Sequence, residues 1–352
     1  MPNIDAKKIC LIRTSAIGDT VHALSFVNGL RNGYPDAHLT WVLQTFPYEL
    51  VKHQPGIDRF ITFDRKGGPK DWISLFSQLR SERFDMVIVP QISAKASLLT
   101  FFTPAAVRLG FDFKRGRPLH WLITNRHIPP RPMGHSQGQL FEFLEYLGIK
   151  NFPIEWNFTF TAEERSWQQK IFDAIGRPVI GFVVATAHRE KDWQAQKYIR
   201  VMDYAHETLN MQPMIIGGPG AAERRMTDEI LGGCRSEPIV ALEDSIRRMM
   251  LRLDGCRLVV SPDTAPLHVA VALDVPTIGL YGYTNPRRCG PYNKFLDLLI
   301  DKYNDPGEEN APINRSTRAG RMPSITAEEV IEKIELGLNR YPRKHRYKQM
   351  VR

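Results

Sequence analysis

The chain has 352 residues, of which 43% are hydrophobic and 24% charged; that is ordinary globular composition at a length beyond what one core supports, so two domains are expected. No stretch approaches the roughly 20 apolar residues that span a bilayer, and the opening MPNIDAKK before ICLI lacks the apolar centre of a secretion signal, so a cytoplasmic protein is expected. The formal net charge of +9 leaves nucleic acid open on charge alone, but no helix-turn-helix, zinc or aromatic RNA-binding pattern accompanies it, and nucleic acid is not expected as a partner.

In chain order, an apolar run from Ile9 to Ile12 leads into the polar loop TSAIGD and then a stretch in which Val21, Leu24, Val27 and Leu30 recur at helical spacing. The runs LTWVL (39–43) and MVIVP (86–90) each precede helix-compatible sequence. Strands alternating with helices predict a parallel sheet covered on both faces. After about residue 175 the same grammar returns in PVIGFVVAT, in PMIIGG with a helix from Ala221, in RLVVSPDT with a helix from Pro266, and in PTIGLYG. Between the halves, Thr161 and Glu164 have capping-box spacing, which puts the boundary near residues 150–162 and divides the chain into 1–155 and 156–325. The same TAEE opens a second helix at 326–329, with Val330, Ile331, Ile334 and Leu338 on one side; the polar, Pro- and Gly-rich stretch before it reads as an exposed loop over 301–324. Six basic residues and no acid follow between Arg340 and Arg352 (Arg340, Arg343, Lys344, Arg346, Lys348, Arg352), which leaves +3 for the rest. Such an end either rests on an anionic membrane face or is a solvated tail. Cys10, Cys234, Cys256 and Cys289 are widely spaced and predict neither disulfides nor a zinc site.

Ligands of doubly wound sheets collect at the carboxyl ends of strands, which directs attention to four loops. In SPDTAPLH the start of a helix offers unpaired N–H groups to a diphosphate. There Thr264 caps the helix or binds a phosphate oxygen, Asp263 accepts from a sugar hydroxyl or only shapes the loop, and His268 is a packing histidine or a ligand contact. ATAHREKDW places Thr186, His188, Arg189 and Lys191 at another strand end. A cation there offsets the charge that builds on a departing nucleoside diphosphate, and Lys191 is the candidate, against its reading as a solvated loop lysine. Trp193 is either a lid or a buried anchor. GGPGAAE lets backbone approach a ligand; Glu223 either grips ribose or complements the helix dipole. It is not G-x-G-x-x-G, so a redox dinucleotide is not supported. TSAIGD supplies Asp19, which either takes a proton from an attacking hydroxyl or caps the helix. Gln91, Lys95, Arg115, Arg117, Arg126, His127 and His135 form a scattered polar and basic set suited to an acidic, phosphorylated acceptor.

Taken in order from about residue 9 to residue 340, LIRTSAIGD with VHAL, PQISAKAS, ATAHREKDW, GGPGAAE and VVSPDTAPLHVAVALDVPTIGLYG resemble the motifs of the ADP-heptose:lipopolysaccharide heptosyltransferases. The resemblance implies a GT-B fold: two Rossmann-like domains facing across a cleft, the acceptor in the first and the donor in the second, with the helix over 326–345 crossing back to the first. It implies direct displacement with inversion and no obligatory metal or cofactor. Heptose would pass from ADP-L-glycero-D-manno-heptose to a phosphorylated lipid A-core acceptor, on Kdo or heptose of the inner core, at or near the cytoplasmic face of the inner membrane. Position by position, Asp19 becomes the general base and Lys191 the stabiliser of leaving ADP. Thr186, Glu223, Asp263, Thr264, Ala265 and His268 become donor contacts, and Lys95, Arg115 and Arg117 acceptor contacts. Ala265 and Ile92 stand where the family carries glycine, and Arg321-Met322 where some members carry cysteine. The rivals are a transferase of this fold with another nucleotide sugar, and a non-catalytic nucleotide-sugar binder.

Overall fold

The computed structural model describes residues 4–243 and 245–343; Lys344, Arg346, Lys348 and Arg352 of the basic end lie outside the described residues. The chain forms two compact units that meet between Thr159 and Phe160, a few residues beyond the 155/156 division. The first unit contains β1 (Lys8–Ile12), α1 (Ile17–Gly33), β2 (His38–Gln44), α2 (Thr45–Val51), β3 (Arg59–Phe63), α3 (Pro69–Ser81), β4 (Phe84–Ile88), α4 (Ala94–Phe101), β5 (Ala105–Gly110), α5 (Pro118–Ile123), β6 (Arg126–His127) and α6 (Gly138–Tyr146). Its sheet is parallel throughout, in the order β3-β2-β1-β4-β5-β6. The second contains α7 (Ala162–Ile175), β7 (Val179–Phe182), α8 (Ala195–Glu207), β8 (Gln212–Gly217), α9 (Ala221–Leu231), β9 (Ile239–Leu242), α10 (Ile246–Gly255), β10 (Leu258–Pro262), α11 (Ala265–Ala272), β11 (Thr277–Tyr281), α12 (Pro286–Cys289), β12 (Ile300–Asp301) and α13 (Ala327–Arg340). Its order, β12-β11-β10-β7-β8-β9, repeats that of the first, again all parallel.

The reason lies in the runs themselves. ICLI of β1 and LVVSP of β10 are buried along their whole length, which requires cover on both faces of the sheet and so the βαβ crossovers seen in each unit. α1 lies so close to α6 that a Cβ on Gly29 would stand 2.5 Å from Leu144 Cδ1, so only glycine fits that approach. Both predicted capping boxes form: Thr161 Oγ1 accepts from Glu164 N at 3.2 Å and Thr326 Oγ1 from Glu329 N at 3.1 Å. α7 ends at Gly176, whose φ of +71° suits glycine at a helix carboxyl terminus.

Within the second unit α13 is firmly seated. Its apolar stripe buries Val330 and Ile334 in the core that also holds Tyr198, Leu258 and Leu280, against α8, β10 and β11 of the second unit. Each such side chain contributes about 1.5–3 kcal/mol on burial, and Arg257 fastens the helix end by donating to Leu338 O and Tyr341 O at 2.8 and 2.6 Å. The 301–324 segment is more than an exposed loop: Tyr303 and Met322 are buried, and Arg318 and Arg321 clamp it through Glu308 and Asp305. Among the described residues no helix is long and apolar enough to cross a membrane.

Candidate active site

In each sheet the strand order reverses at one point, between β1 and β4 in the first unit and between β7 and β10 in the second. The helices leave opposite faces there, so the loops beyond the carboxyl ends part and leave a crevice. Asp19, Gln91 and Lys95 lie beyond the reversal point of the first sheet, and Thr186, Lys191, Asp263, Thr264, Ala265 and His268 beyond that of the second; Glu223, Arg115 and Arg117 follow neighbouring strands.

In the second unit the centre is Asp263, which follows β10 and is 7% exposed. Lys191, in a short 3-10 turn after β7, donates from Nζ to Asp263 Oδ2 at 2.8 Å and to its carbonyl at 3.2 Å. Thr284, after β11, donates to the same Oδ2 at 2.6 Å, and Cys289 Sγ lies 3.5 Å from it. His268 Nε2, one turn into α11, is 3.5 Å from Oδ1. Burial alone would raise the Asp263 carboxyl pKa, but the His268 hydrogen bond and the Lys191 charge reverse this and hold it well below the usual carboxylate range. The lysine is therefore fixed by a permanent counter-charge and is not the solvated loop residue of the alternative reading. Thr264 makes no capping bond to α11, and the second helical residue is Pro266, which has no N–H. The amino end of α11 is thus open and electropositive, with Thr264 and Ala265 at its mouth.

Thr186 serves its own loop. Its N–H donates to Asp192 Oδ1 at 2.8 Å, and its hydroxyl donates to His188 O and accepts from His188 N. Glu223 lies in the first turn of α9, folded over Gly220 so closely that a Cβ there would meet Oε2 at 2.4 Å. Trp193 is an anchor and not a lid: the ring is 1% exposed, and its Nε1 donates to Ile325 O at 3.0 Å. Thr284, Cys289 and Asp192 escape the sequence reading. Thr284 had a usable signal, lying just past the carboxyl end of a strand, whereas Cys289 reaches the cluster only through the fold.

In the first unit Asp19 is the third residue of α1. Its Oδ2 accepts from Ala16 N at 3.1 Å and its Oδ1 from Arg13 Nη2 at 2.7 Å, so both sequence readings have a physical basis: the carboxylate steadies the helix start and, 44% exposed, remains open to a ligand. Arg13, itself buried, also donates to Pro90 O. Gln91 ties the two loops together, accepting from Thr14 N at 2.7 Å and donating to Ser15 O at 3.2 Å. The loop that carries Asp19 is therefore held across the reversal point. Lys95 lies early in α4, 5.9 Å from the Phe63 ring centre, and burial with the nearby Arg65 charge lowers its pKa.

Arg115 is otherwise placed than the acceptor-contact reading supposed. Its side chain is 5% exposed, with Nη1 2.7 Å from Glu142 Oε2 and Nε bonded to Asp112; the guanidinium is consumed in joining the loop before α5 to α6. Arg115→Ala leaves two buried carboxylates without their cation and is expected to destabilise the first unit by about 3 kcal/mol. Thermal unfolding checks this; unchanged stability with a raised acceptor KM would return Arg115 to the acceptor site. Arg117, at the start of α5, is exposed. His127 is spent on Thr124 and His135 on Gln137 N. Among the described residues no group of three or more His, Cys, Asp or Glu is arranged to hold a metal.

The profile of glycosyltransferase family 9 (heptosyltransferase) matches residues 72–310. The chain is similar to the lipopolysaccharide core heptosyltransferase OpsX of Haemophilus influenzae, with 30% identity over 91% of this chain and 90% of that protein. Among solved structures, a glycosyl transferase family 9 protein from Veillonella parvula aligns with a TM-score of 0.81 at 24% identity, covering 95% of this chain and 98% of that one. The E. coli heptosyltransferase WaaC with ADP aligns with a TM-score of 0.72 at 19% identity, covering 94% and 99%.

Proposed function

Because the chain belongs to glycosyltransferase family 9 (heptosyltransferase), we propose that it moves heptose from ADP-L-glycero-D-manno-heptose to Kdo or heptose of the lipopolysaccharide inner core, with inversion. The observation that carries this reading is a lysine fixed by a buried carboxylate beside an uncapped helix start, Lys191 on Asp263 at the mouth of α11. A diphosphate seated there meets one mobile-free cation and backbone N–H groups, and both interactions strengthen as the leaving phosphate oxygen gains charge.

The acceptor oxygen forms a bond to the anomeric carbon as the bond from that carbon to the phosphate oxygen breaks. The electron pair leaves with ADP towards Lys191, and the acceptor's proton passes to Asp19. Thr264, Ala265, His268, Thr186 and Glu223 are the proposed surroundings of the donor. Lys95 and Arg117 are the proposed contacts of the acidic acceptor, which, being lipid-linked, places the work on the cytoplasmic face of the inner membrane.

Purified chain, ADP-heptose and a Kdo-bearing lipid A acceptor are expected to yield free ADP and an acceptor heavier by one heptose in mass spectrometry. ADP is expected to compete for the donor seat better than UDP or GDP. No turnover of ADP-heptose or of any other nucleotide sugar would sink the proposal. Preference for UDP or GDP would point to another donor, and binding without turnover to a non-catalytic role.

A further inference from the structure

The segment 86–141 of the first unit carries seven Lys or Arg residues and one acid, Asp112, a net charge of +6 in a chain whose total is +9. The one acid is buried and paired with Arg115, so no carboxylate of this segment reaches solvent. The same segment holds five of the eleven exposed large apolar side chains among the described residues. Leu98 and Phe101 stand three residues apart on α4, and Leu119 and Leu122 stand three apart on α5, with Leu122 83% and Phe101 61% exposed. Spacing of three residues puts each pair on one side of its helix. The two helices pack against each other, and both leave the same face of the sheet, because β4, β5 and β6 follow one another in one direction. Phe113, 60% exposed, extends this surface from the loop before α5, its ring edge-on to Trp121 at 5.3 Å. Lys114, Arg117 and Arg126 are exposed beside it.

A core helix does not leave its largest side chains in water, and single exposed leucines need no explanation; five in one pair of packed helices and the loop between them, with Lys114, Arg117 and Arg126 exposed in the same stretch and in no ion pair among the described residues, do. We propose that the α4–α5 face of the first unit docks on an anionic phospholipid surface. Leucine and phenylalanine enter the headgroup boundary while the lysine and arginines meet lipid phosphate. Two signals act here, apolar insertion and charge, and together they give binding that neither gives alone. This face, and not only the basic end of the chain, is then the membrane contact. The proposal deepens the lipid-linked-acceptor reading and rests on it for its biological purpose, but the contact itself is tested without donor or acceptor.

The test is co-sedimentation of the full chain with vesicles of phosphatidylethanolamine and phosphatidylglycerol, free of lipopolysaccharide, against vesicles of phosphatidylcholine alone. Binding is expected only to the anionic vesicles and to weaken as salt rises. Leu122→Asp with Phe101→Asp is expected to cut partitioning at least about tenfold, and Lys114→Ser with Arg126→Ser about fivefold per charge; unfolding midpoints should stay unchanged because the sites are exposed. Transfer to a soluble acceptor by the Leu122 and Phe101 variant should also be unchanged, which separates failure of docking from failure of the enzyme assignment. The proposal is overturned if Lys344→Ser, Arg346→Ser and Lys348→Ser together abolish vesicle binding while the Leu122 and Phe101 variant binds normally. It is equally overturned if the α4–α5 substitutions dissolve a concentration-dependent dimer and the native chain never binds vesicles, which would make this face a contact between copies.

Discussion

Asp19→Asn is expected to lower the rate of transfer by about 10³-fold while the affinity for ADP stays within about twofold. Asparagine keeps the oxygen that accepts from Ala16 N and so keeps the start of α1, but it cannot take a proton. The substitution therefore separates support of the helix start from the proposed proton transfer. If support of the helix start were the whole role, Asn would sustain turnover, because its amide oxygen can accept the same bond from Ala16 N. A single-turnover measurement with saturating donor, alongside an ADP titration, checks it; a rate within a few-fold of the native chain removes Asp19 from proton transfer. Arg13 is bonded to Oδ1 of the same carboxylate at 2.7 Å and is proposed as a residue that positions it.

Lys191→Met is expected to lower kcat by about 10²–10³-fold, the usual loss when one donor to a developing anion is removed. The loss falls on kcat more than on donor KM, since the phosphate oxygen carries more charge at the transition state than before it. Lys191→Arg, which keeps the charge but changes its reach, is expected to recover part of the rate. Asp263→Asn provides the companion measurement: it leaves Lys191 without its counter-charge and the 2.8 Å anchor that orients it, so turnover falls although no group that touches the phosphate has been removed. Steady-state kinetics on the three variants checks the pattern. A native kcat in Lys191→Met would end the assignment.

Much of this was legible from residues alone, and the reasons are physical. Ile9–Ile12 and the LVV of β10 are continuous apolar runs that only a doubly covered sheet accommodates, so both sheets and their switch-point loops could be read. The Thr161 and Thr326 boxes could be read because capping is local. The strands β3, β5, β6, β9 and β12 gave no such signal: Arg59–Phe63 and Ala105–Gly110 are only partly buried along most of their length, and β6 and β12 are two residues each. What neighbours decide was also hidden. Arg115 reads as an acceptor cation until Glu142, 27 positions later, is seen 2.7 Å away. The apolar side of the last helix showed that it needed a partner, not which one. Cys289 and Thr284 join Asp263 only because β10 and β11 lie side by side.

Trp193 lies two residues beyond Lys191, and its indole hangs from the carbonyl of Ile325, a residue reached only after the long clamped segment. Lys197 grips the same carbonyl from below at 2.7 Å. The loop that carries Lys191 is thus tied to a stretch of chain 132 positions beyond Trp193. Because Tyr303, Met322 and Ile325 are buried in this unit, trimming the 301–324 connection is expected to lower the melting point and the turnover together, which thermal unfolding beside steady-state kinetics checks.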